Sequence, residues 1–400
     1  MALRPDADAF DPIVLQLAGR RQEPVCAYIY DLRALRQWTK QLVGCLPSGC
    51  RLFYAMKANA DPILLQALAP LVHGFEAASI GEVQKARAAD ANIPVVFGGP
   101  GKTERELEEA SALGVELIHV ESLNELCRIQ AIGARRGAVI RVLLRVNLRG
   151  PLPVATLRMA GAPTQFGIDE ADLQRALSAA AACPNVDVKG FHLHCLSNSL
   201  DPVIHLDLIR SYLERAELWQ GWLGRAVEVL NVGGGIGVNY AEPAQVFDWA
   251  AFCGQLRTLR AEASGGPELV FECGRFIAAA CGAYAAEVLD LKRNHGKTFA
   301  IVRGGTHHFR LPASWQHSHP FRVVPVERWP HAFERMEIVD QHVSVAGQLC
   351  TPKDVLARDT HIARLRIGDI LLFTHAGAYG WSISHHDFLS HPHPEVLHVQ

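Results

Sequence analysis

Eight short runs of apolar, β-favouring residues alternate with segments of helical period, and this alternation limits the folds open to the chain. Between the runs, apolar residues recur at intervals of three and four, as in "IGEVQKARAAD" and "TERELEEASAL". Parallel strands that helices cover on both faces have such continuous apolar character. The runs are "CRLFYAM" (50–56), "VHGFEAAS" (72–79), "PVVFGG" (94–99), "ELIHVES" (116–122), "AVIRVLLRVN" (138–147), "VKGFHLHCLS" (188–197), "VEVLNVGGG" (227–235) and "ELVFECG" (268–274).

Eight such repeats over roughly 225 residues predict an α/β fold with a closed (β/α)8 TIM-like barrel, and a doubly wound open sheet is the alternative. Beyond about residue 275 the helical pattern ends, and runs such as "TFAIVRGG" and "DILLFTHAGAY" predict a C-terminal β-domain. We therefore expect the barrel at 36–275 and the β-domain at 276–400. The segment 1–35, with its strand-like run at 24–32, is expected to join the β-domain.

Composition favours a small-molecule partner. A formal net charge of −2 and a pI near 6.8 give no electrostatic reason to bind nucleic acid or an anionic membrane surface. The ten cysteines form no CxxC pair, which indicates reduced thiols. No run of about 18 apolar residues and no apolar leader occurs, so we expect a cytoplasmic protein.

Titratable residues stand at the carboxyl ends of the predicted barrel strands, where barrels of this kind place their active sites. Lys57 follows the first run, Glu76 lies in the second, His194 in the sixth and Glu272 in the eighth. A lysine partly withdrawn from water loses its proton more easily and becomes a nucleophile, although a lysine at a strand end can also extend into solvent.

Two glycine-containing segments near the last two strands suggest an anion site. The glycines of "NVGGGIG" (231–237) would let backbone N–H groups approach a phosphate, although an unliganded tight turn has the same pattern. In "ECGR", Gly274 would let the backbone approach the anion closely, and Arg275 would supply a positive charge. With Glu272 as an acidic partner for a ring nitrogen, the set suits pyridoxal 5′-phosphate (PLP). His194 could lie on the ring face or be a core histidine.

Eight blocks in order resemble the fold-type III PLP-dependent decarboxylases of diaminopimelate, ornithine and arginine. The blocks are "YAMKAN", "GFEAASIGE", "TQFGI", "GFHLHCLSN", "LNVGGGIG", "ECGR", "GQLC" and "GDILLFTHAGAYG", and they cover nearly the whole chain. The resemblance implies an alanine racemase-like fold, in which the barrel is joined to a C-terminal β-sandwich or β-barrel domain. It also implies a homodimer whose two sites borrow residues from each other.

The resemblance further implies a role for each matching residue. Lys57 would bind the cofactor aldehyde covalently, His194 would stack on the ring and Glu272 would pair with its nitrogen, and Cys350 would come from the partner subunit to protonate the carbanion left by loss of CO2. The cofactor-binding set is completed by Glu76, Ser197, Gly234, Gly235, Gly237, Gly274, Arg275 and Tyr379.

Some positions depart from the family pattern. The acid that usually follows the catalytic cysteine is Thr351 here, while Asp354 remains, so a substrate with a distal ammonium would lose a partner. The segment 303–321 contains Arg310 among several histidines, and a second histidine-rich segment spans 385–393. Arginine recognises carboxylates bidentately, so we expect Arg310, Thr351 and Asp354 to face the substrate.

The two histidine-rich segments resemble the staphyloferrin B-type siderophore branch of this family, which decarboxylates a citryl-diaminopropionate intermediate. A metal site is a rival interpretation, but the histidine spacing matches no zinc pattern, and we expect no metal. Diaminopimelate decarboxylase is the main alternative. An amino-acid racemase would normally have an arginine at the ring nitrogen instead of Glu272, and a non-catalytic PLP-binding protein would be expected to lack Lys57 or Cys350.

Overall fold

The computed structural model describes residues 9–20, 23–150, 157–158, 163–262 and 266–400. The strands of these residues are β1 (Cys26–Asp31), β2 (Cys50–Ala55), β3 (Gly74–Ala77), β4 (Val95–Phe97), β5 (Leu117–Val120), β6 (Ile140–Asn147), β7 (Leu157–Arg158), β8 (Ile168–Asp169), β9 (Val186–His192), β10 (Leu196–Ser197), β11 (Val229–Gly233), β12 (Glu268–Cys273), β13 (Gly282–Asn294), β14 (Lys297–Val302), β15 (Phe321–Val324), β16 (Glu337–Ala346), β17 (Val355–Arg366), β18 (Ile370–Phe373) and β19 (Glu395–Val399).

The helices are α1 (Asp11–Gly19), α2 (Leu32–Cys45), α3 (Pro62–Leu68), α4 (Ile80–Ala89), α5 (Glu104–Ala112), α6 (Leu123–Arg136), α7 (Leu173–Ala181), α8 (Pro202–Leu223), α9 (Trp249–Glu262), α10 (Arg275–Ala278) and α11 (Leu311–Trp315). The described residues divide into two compact units. The first contains 36–238 and 246–277, and the second contains the described residues before 36 together with 239–245 and 278–400.

The first unit is a closed parallel barrel. Its strands pair in the order β2, β3, β4, β5, β6, β9, β11 and β12, and β12 pairs in parallel with β2 to complete the ring. Each strand is followed by one of the helices α3 to α10. The predicted barrel is therefore confirmed, and the open sheet is excluded because no edge remains between β2 and β12.

Several helices that follow barrel strands begin at an N-cap residue. Its side chain accepts a hydrogen bond from a backbone N–H that has no partner within the helix. Ser79 caps α4 by accepting from the backbone N–H of Glu82, and Ser122 caps α6 in the same way. Thr103 and Glu106 form a reciprocal capping box at α5. Ser79, two residues after the end of β3, thus starts α4.

Aromatic side chains pack the layer between β12 and α9. Phe252 of α9 meets Phe271 of β12 edge-on, with 6.0 Å between ring centroids, and Trp249 and Phe276 join the same group. The Trp249 indole N–H donates to the carbonyl of Leu42, 2.9 Å away, so burial leaves no orphan donor there. This packing supports the ends of the last two barrel strands.

The second unit is a mixed β-sheet with α1 against it. Its strand order is β15, β18, β13, β14, β16 and β17, and β1 pairs with β13 and with β19. Phe10, Val14 and Ile29 are buried in one cluster with apolar residues of β13, β15 and β18. Sequence reasoning missed α1, β17 and β19. In β17 exposed positions such as Arg358, Asp359 and Arg364 separate the buried residues, so it lacks the apolar run on which the strand predictions relied.

The ten cysteines all lie in the described residues and none forms a disulfide. Among the described helices, none has the length and apolar character needed to span a bilayer.

Buried neutral histidines should make the stability of both units depend on pH. Burial lowers the pKa of His205 in the first unit and of His375 in the second to about 4. The unfolded chain binds a proton near pH 6.5 and the fold does not, so stability is complete above pH 6.5 and falls as the pH drops toward 4. Each histidine contributes a slope of up to about 1.4 kcal/mol per pH unit in that window.

Urea unfolding at several pH values measures the slope of the unfolding free energy against pH, and His205→Gln should flatten this slope. An unchanged slope would contradict the assignment.

Candidate active site

The carboxyl ends of the barrel strands bring together four of the residues predicted from sequence. Lys57 lies in the one-turn 3-10 helix Met56–Ala58 directly after β2, and Glu76 lies in β3. His194 follows β9 and Glu272 lies in β12. Because parallel strands end at one rim of a barrel, these side chains share one face of the first unit.

Lys57 and Glu76 form an ion pair with 2.8 Å between Nζ and Oε2. The lysine side chain is 44% exposed, whereas that of Glu76 is 6% exposed. Burial raises the pKa of Glu76, and the nearby Lys57 ammonium opposes that rise. The pair therefore places a reachable amine over a buried acid, which is an arrangement suited to reaction with a carbonyl compound.

Glu272 is held by buried polar groups around its carboxylate. The Asn231 side-chain amide donates to Oε1 at 2.7 Å, and Nε2 of His192 lies 3.4 Å from Oε2. His119 stacks on His192 with 4.1 Å between ring centroids, and burial lowers the pKa of both imidazoles well below the ordinary range. Glu272 is therefore surrounded by dipolar side chains. Its carboxylate could accept a hydrogen bond from the protonated nitrogen of a bound aromatic ring.

His119, His192 and Glu272 also form a possible metal-ligand set, since their ligand atoms all lie within 4.8 Å of one another. Sequence reasoning did not select His119, His192 or Asn231. The signal was available, because each is a polar residue inside one of the eight predicted strands. It was overlooked because a lone histidine in an apolar run is typical of a core position.

The glycine loop after β11 lies against the neighbouring strands. Gly233 and Gly235 have φ values of +68° and +85°, which favour glycine. A Cβ on Gly234 would overlap the Glu272 carbonyl oxygen, and one on Gly237 would lie 2.7 Å from Asn198. The Gly234 N–H donates to Nδ1 of His194 at 3.2 Å, so the loop also orients this imidazole.

Three further predicted phosphate ligands belong to the first unit. Ser197 lies in β10, and Gly274 follows β12, where a Cβ would come within 2.8 Å of the Ala58 Cβ. Gly274 thus permits β12 to end against the turn that carries Lys57. Arg275 begins α10 and is buried. Glycine backbone, a hydroxyl and a guanidinium are groups that fit a phosphate.

The other predicted residues belong to the second unit. Cys350 is an exposed free thiol, and Tyr379 has a φ of +54°. Arg310 and Thr351 line one cleft of about 860 Å³. Asp354 is buried, and its two oxygens accept from the backbone N–H groups of Thr306 (2.6 Å) and Leu349 (2.8 Å). These bonds give Asp354 a role in holding the chain, so its predicted substrate contact stays a prediction.

A buried ion pair also supports the rim. Arg145 of β6 donates to Glu121 Oε1 at 2.8 Å, and both side chains are buried. Glu121 also accepts from the backbone N–H groups of Gly99 (3.0 Å) and Gly167 (2.9 Å). Gly167 belongs to the "TQFGI" block, so this carboxylate joins three loops at the barrel rim. No pattern in the sequence predicts this pairing, since its members are far apart along the chain.

Comparison with known proteins identifies relatives of the whole chain. Residues 32–279 match the family model described as pyridoxal-dependent decarboxylase, pyridoxal binding domain. The 2-[(L-alanin-3-ylcarbamoyl)methyl]-2-hydroxybutanedioate decarboxylase of Staphylococcus aureus is 48% identical over 97% of this chain and 97% of its own length. A diaminopimelate decarboxylase of Bacteroides thetaiotaomicron is 30% identical over 88% and 90%. The crystal structure of Helicobacter pylori diaminopimelate decarboxylase complexed with L-lysine superposes with a TM-score of 0.84, at 27% identity over 96% and 93%.

Removing the Glu121 carboxylate should destabilise the first unit. Glu121→Ala leaves the buried Arg145 guanidinium without its acid and two backbone N–H groups without an acceptor, so we expect the unfolding free energy to fall by about 3 kcal/mol. Urea denaturation followed by circular dichroism measures the change. Glu104→Ala is the control, because Glu104 pairs with Arg135 at the surface, where both side chains are about half exposed. Equal effects of the two variants would contradict the role of Glu121.

Proposed function

This chain belongs to the pyridoxal-dependent decarboxylase family, and we propose that its substrate is 2-[(L-alanin-3-ylcarbamoyl)methyl]-2-hydroxybutanedioate or a close analogue. The observation that carries the proposal is the 48% identity, over 97% of both chains, to the S. aureus decarboxylase that is named for this compound. The protein is a PLP-dependent amino-acid decarboxylase. The reaction would remove the α-carboxylate as CO2 and leave the amine with a hydrogen in its place.

The chemistry of the substrate agrees with the departures in the sequence. The name describes citric acid joined through one terminal carboxyl to the side-chain amine of 2,3-diaminopropionate, here called citryl-diaminopropionate. Its distal end therefore has two carboxylates and a hydroxyl, and no ammonium. Thr351 at the position of the usual acid and Arg310 on the same cleft suit that charge. This is the type of siderophore intermediate that the histidine-rich segments suggested.

The residues of the first unit fit PLP. Lys57 would hold the cofactor aldehyde, and Glu76 would keep the amine in place through their 2.8 Å ion pair. His194 would lie on the ring face, positioned by Gly234, and Glu272 would hold the proton on the ring nitrogen. Ser197, Arg275 and the glycine backbone would bind the phosphate. Tyr379 stays a predicted phosphate ligand from the family resemblance.

The cofactor, when bound, supplies the electron sink that accepts the pair left by departing CO2. The chain must then return a proton to the substrate Cα, and Cys350 is the proposed donor. We further propose a homodimer in which Cys350 and the cleft residues serve the partner subunit's site, as the family resemblance implies. A location in the cytoplasm stays a prediction from the sequence.

Diaminopimelate decarboxylase is the second candidate, because relatives with that activity are 30% identical to this chain. Diaminopimelate has an ammonium as well as a carboxylate at its distal end, and the cleft of Arg310 and Thr351 has no acidic residue among its lining residues. A buried ammonium without an acceptor is costly, which disfavours this substrate.

Substrate assays test the proposal directly. The purified protein with PLP is incubated separately with citryl-diaminopropionate, diaminopimelate, ornithine and lysine, and CO2 and the amine product are quantified by mass spectrometry. We expect release from citryl-diaminopropionate. Release only from diaminopimelate would overturn the proposed substrate.

The role of Lys57 has a readout apart from turnover. Borohydride reduction of the protein with PLP, followed by peptide mapping, should place the cofactor label on Lys57. Lys57→Ala should lose both the label and CO2 release, because no other amine replaces the covalent tether. Lys85→Ala, at an exposed position on α4, is the control and should retain both. A label on another lysine in the unaltered protein would refute the assignment.

Cys350→Ala should slow product formation by roughly 10²-fold, the usual contribution of a positioned proton donor. The cofactor absorbance should be retained, because Cys350 is proposed to act on the substrate only. The deuterium content and stereochemistry of the amine formed in D2O measure reprotonation. A product identical in rate and stereochemistry to that of the unaltered protein would remove Cys350 from the mechanism.

A further inference from the structure

The cleft of the second unit has an unusual charge. Among the described residues, its lining includes the cationic side chains of Arg310, Lys353 and Arg358 and contains no aspartate or glutamate. The cleft has a volume of about 860 Å³, which is enough for a molecule of the size of citrate with its water. Of these cations, sequence reasoning identified Arg310 alone.

The three cations lack acidic partners. Among the described residues, none of them forms an ion pair with a carboxylate, although other arginines of the same unit do: Arg366 pairs with Glu327 and Asp369, and Arg335 pairs with Asp369. Like charges that share a concave surface repel each other unless an anion joins them. The cleft is therefore electrostatically incomplete.

The acid nearest in sequence is directed elsewhere. Asp354 separates Lys353 from β17, but its carboxylate is buried and accepts the backbone N–H groups of Thr306 and Leu349. Of the two histidines on the lining, His385 has its pKa lowered by burial first and by Arg310 second. A neutral imidazole can donate a hydrogen bond to an anion without adding to the repulsion between the cations.

Backbone hydrogen bonds fix the positions that carry the three cations. The backbone N–H of Arg310 donates to Ser384 Oγ at 3.0 Å, that of Lys353 to Thr351 Oγ1 at 3.3 Å, and that of Arg358 to Ser318 Oγ at 2.9 Å. The three side chains thus extend from backbone positions that are held by hydrogen bonds. Binding a ligand would therefore cost only the entropy of ordering the side-chain rotamers.

We propose that Lys353 and Arg358, together with Arg310, bind the two carboxylates of the 2-hydroxybutanedioate end of the substrate and set the specificity for it. This inference rests on the proposed function and deepens it. A guanidinium can donate two parallel N–H hydrogen bonds to one carboxylate, and an ammonium adds a point charge for the second carboxylate. The cations act in binding and take no part in bond breaking, so their removal should change KM and leave kcat nearly unchanged.

Variants of the two new residues test this assignment in the PLP-loaded enzyme. Lys353→Ala and Arg358→Ala should each raise the KM for citryl-diaminopropionate roughly tenfold, and the double variant more, with kcat within about twofold. Lys353→Arg keeps the charge and should restore most of the affinity. Arg364→Ala is the matched control, because Arg364 lies on the same strand, pairs with Glu337 and is not on the cleft lining.

Calorimetric titration with citrate separates failure of this inference from failure of the proposed function. Citrate should bind the unaltered protein and the Arg364→Ala variant, and binding should be lost in the double variant while circular dichroism shows an intact fold. If citryl-diaminopropionate is decarboxylated and the variants keep their KM, the cation assignment is wrong and the function stands. If that compound is not a substrate, the proposed substrate is wrong. The citrate titration still tests whether the cations of the cleft bind carboxylates. Equal citrate binding by all variants, or none by the unaltered protein, overturns the assignment.

Discussion

The unbroken ladder of parallel strand pairs from β2 round to β12 is the constraint on which the site depends. The pairing places residues from distant parts of the chain at one rim, where Lys57 of the first turn reaches Glu76 of the next strand and Glu272 arrives from the last. Small residues make the closure tight. A Cβ on Gly234 would overlap the Glu272 carbonyl oxygen, and one on Gly274 would meet Ala58, so β11 can end against β12, and β12 against the Lys57 turn, only with glycine there.

The barrel could be predicted from the sequence because its strands are buried on both faces and are nearly continuous in apolar residues. All eight predicted runs overlap a barrel strand. The second unit was harder to predict, since a strand such as β17 has exposed charged residues between its buried ones and lacks a continuous apolar run. The candidate site residues Lys57, Glu76, His194 and Glu272 were selected from strand ends, whereas the residues that contact them were not. Asn231 and His119 were missed because a lone polar residue in an apolar run is typical of a core position. Their approach to Glu272 arises only in the closed barrel, where Asn231 lies on the adjacent strand and His119 on a strand that does not pair with β12.

The barrel rim and the cleft of the second unit differ in whether their charged side chains are paired. At the barrel rim the buried charges are compensated: Glu76 has Lys57, and Arg145 has Glu121, which also accepts two backbone N–H groups. Pairing of that kind fixes geometry before any ligand arrives. In the second unit the three exposed cations of the cleft lining have no ion-pair partner among the described residues. A rigid, neutralised reaction centre suits chemistry common to a family, and an uncompensated cleft suits recognition of a particular anionic substrate.

The buried carboxylate of Asp354 ties the turn between β16 and β17 to the backbone at Thr306, and this turn carries Cys350, Thr351 and Lys353 within four consecutive positions. The residues proposed for proton donation and for substrate selection thus lie next to one another in a short stretch of chain that Asp354 holds in place. Substitutions at one or two of these positions could redirect such an enzyme toward a differently charged metabolite without disturbing the barrel. Members of the family could then differ in substrate through substitutions in this turn, while the aspartate that holds the turn is kept.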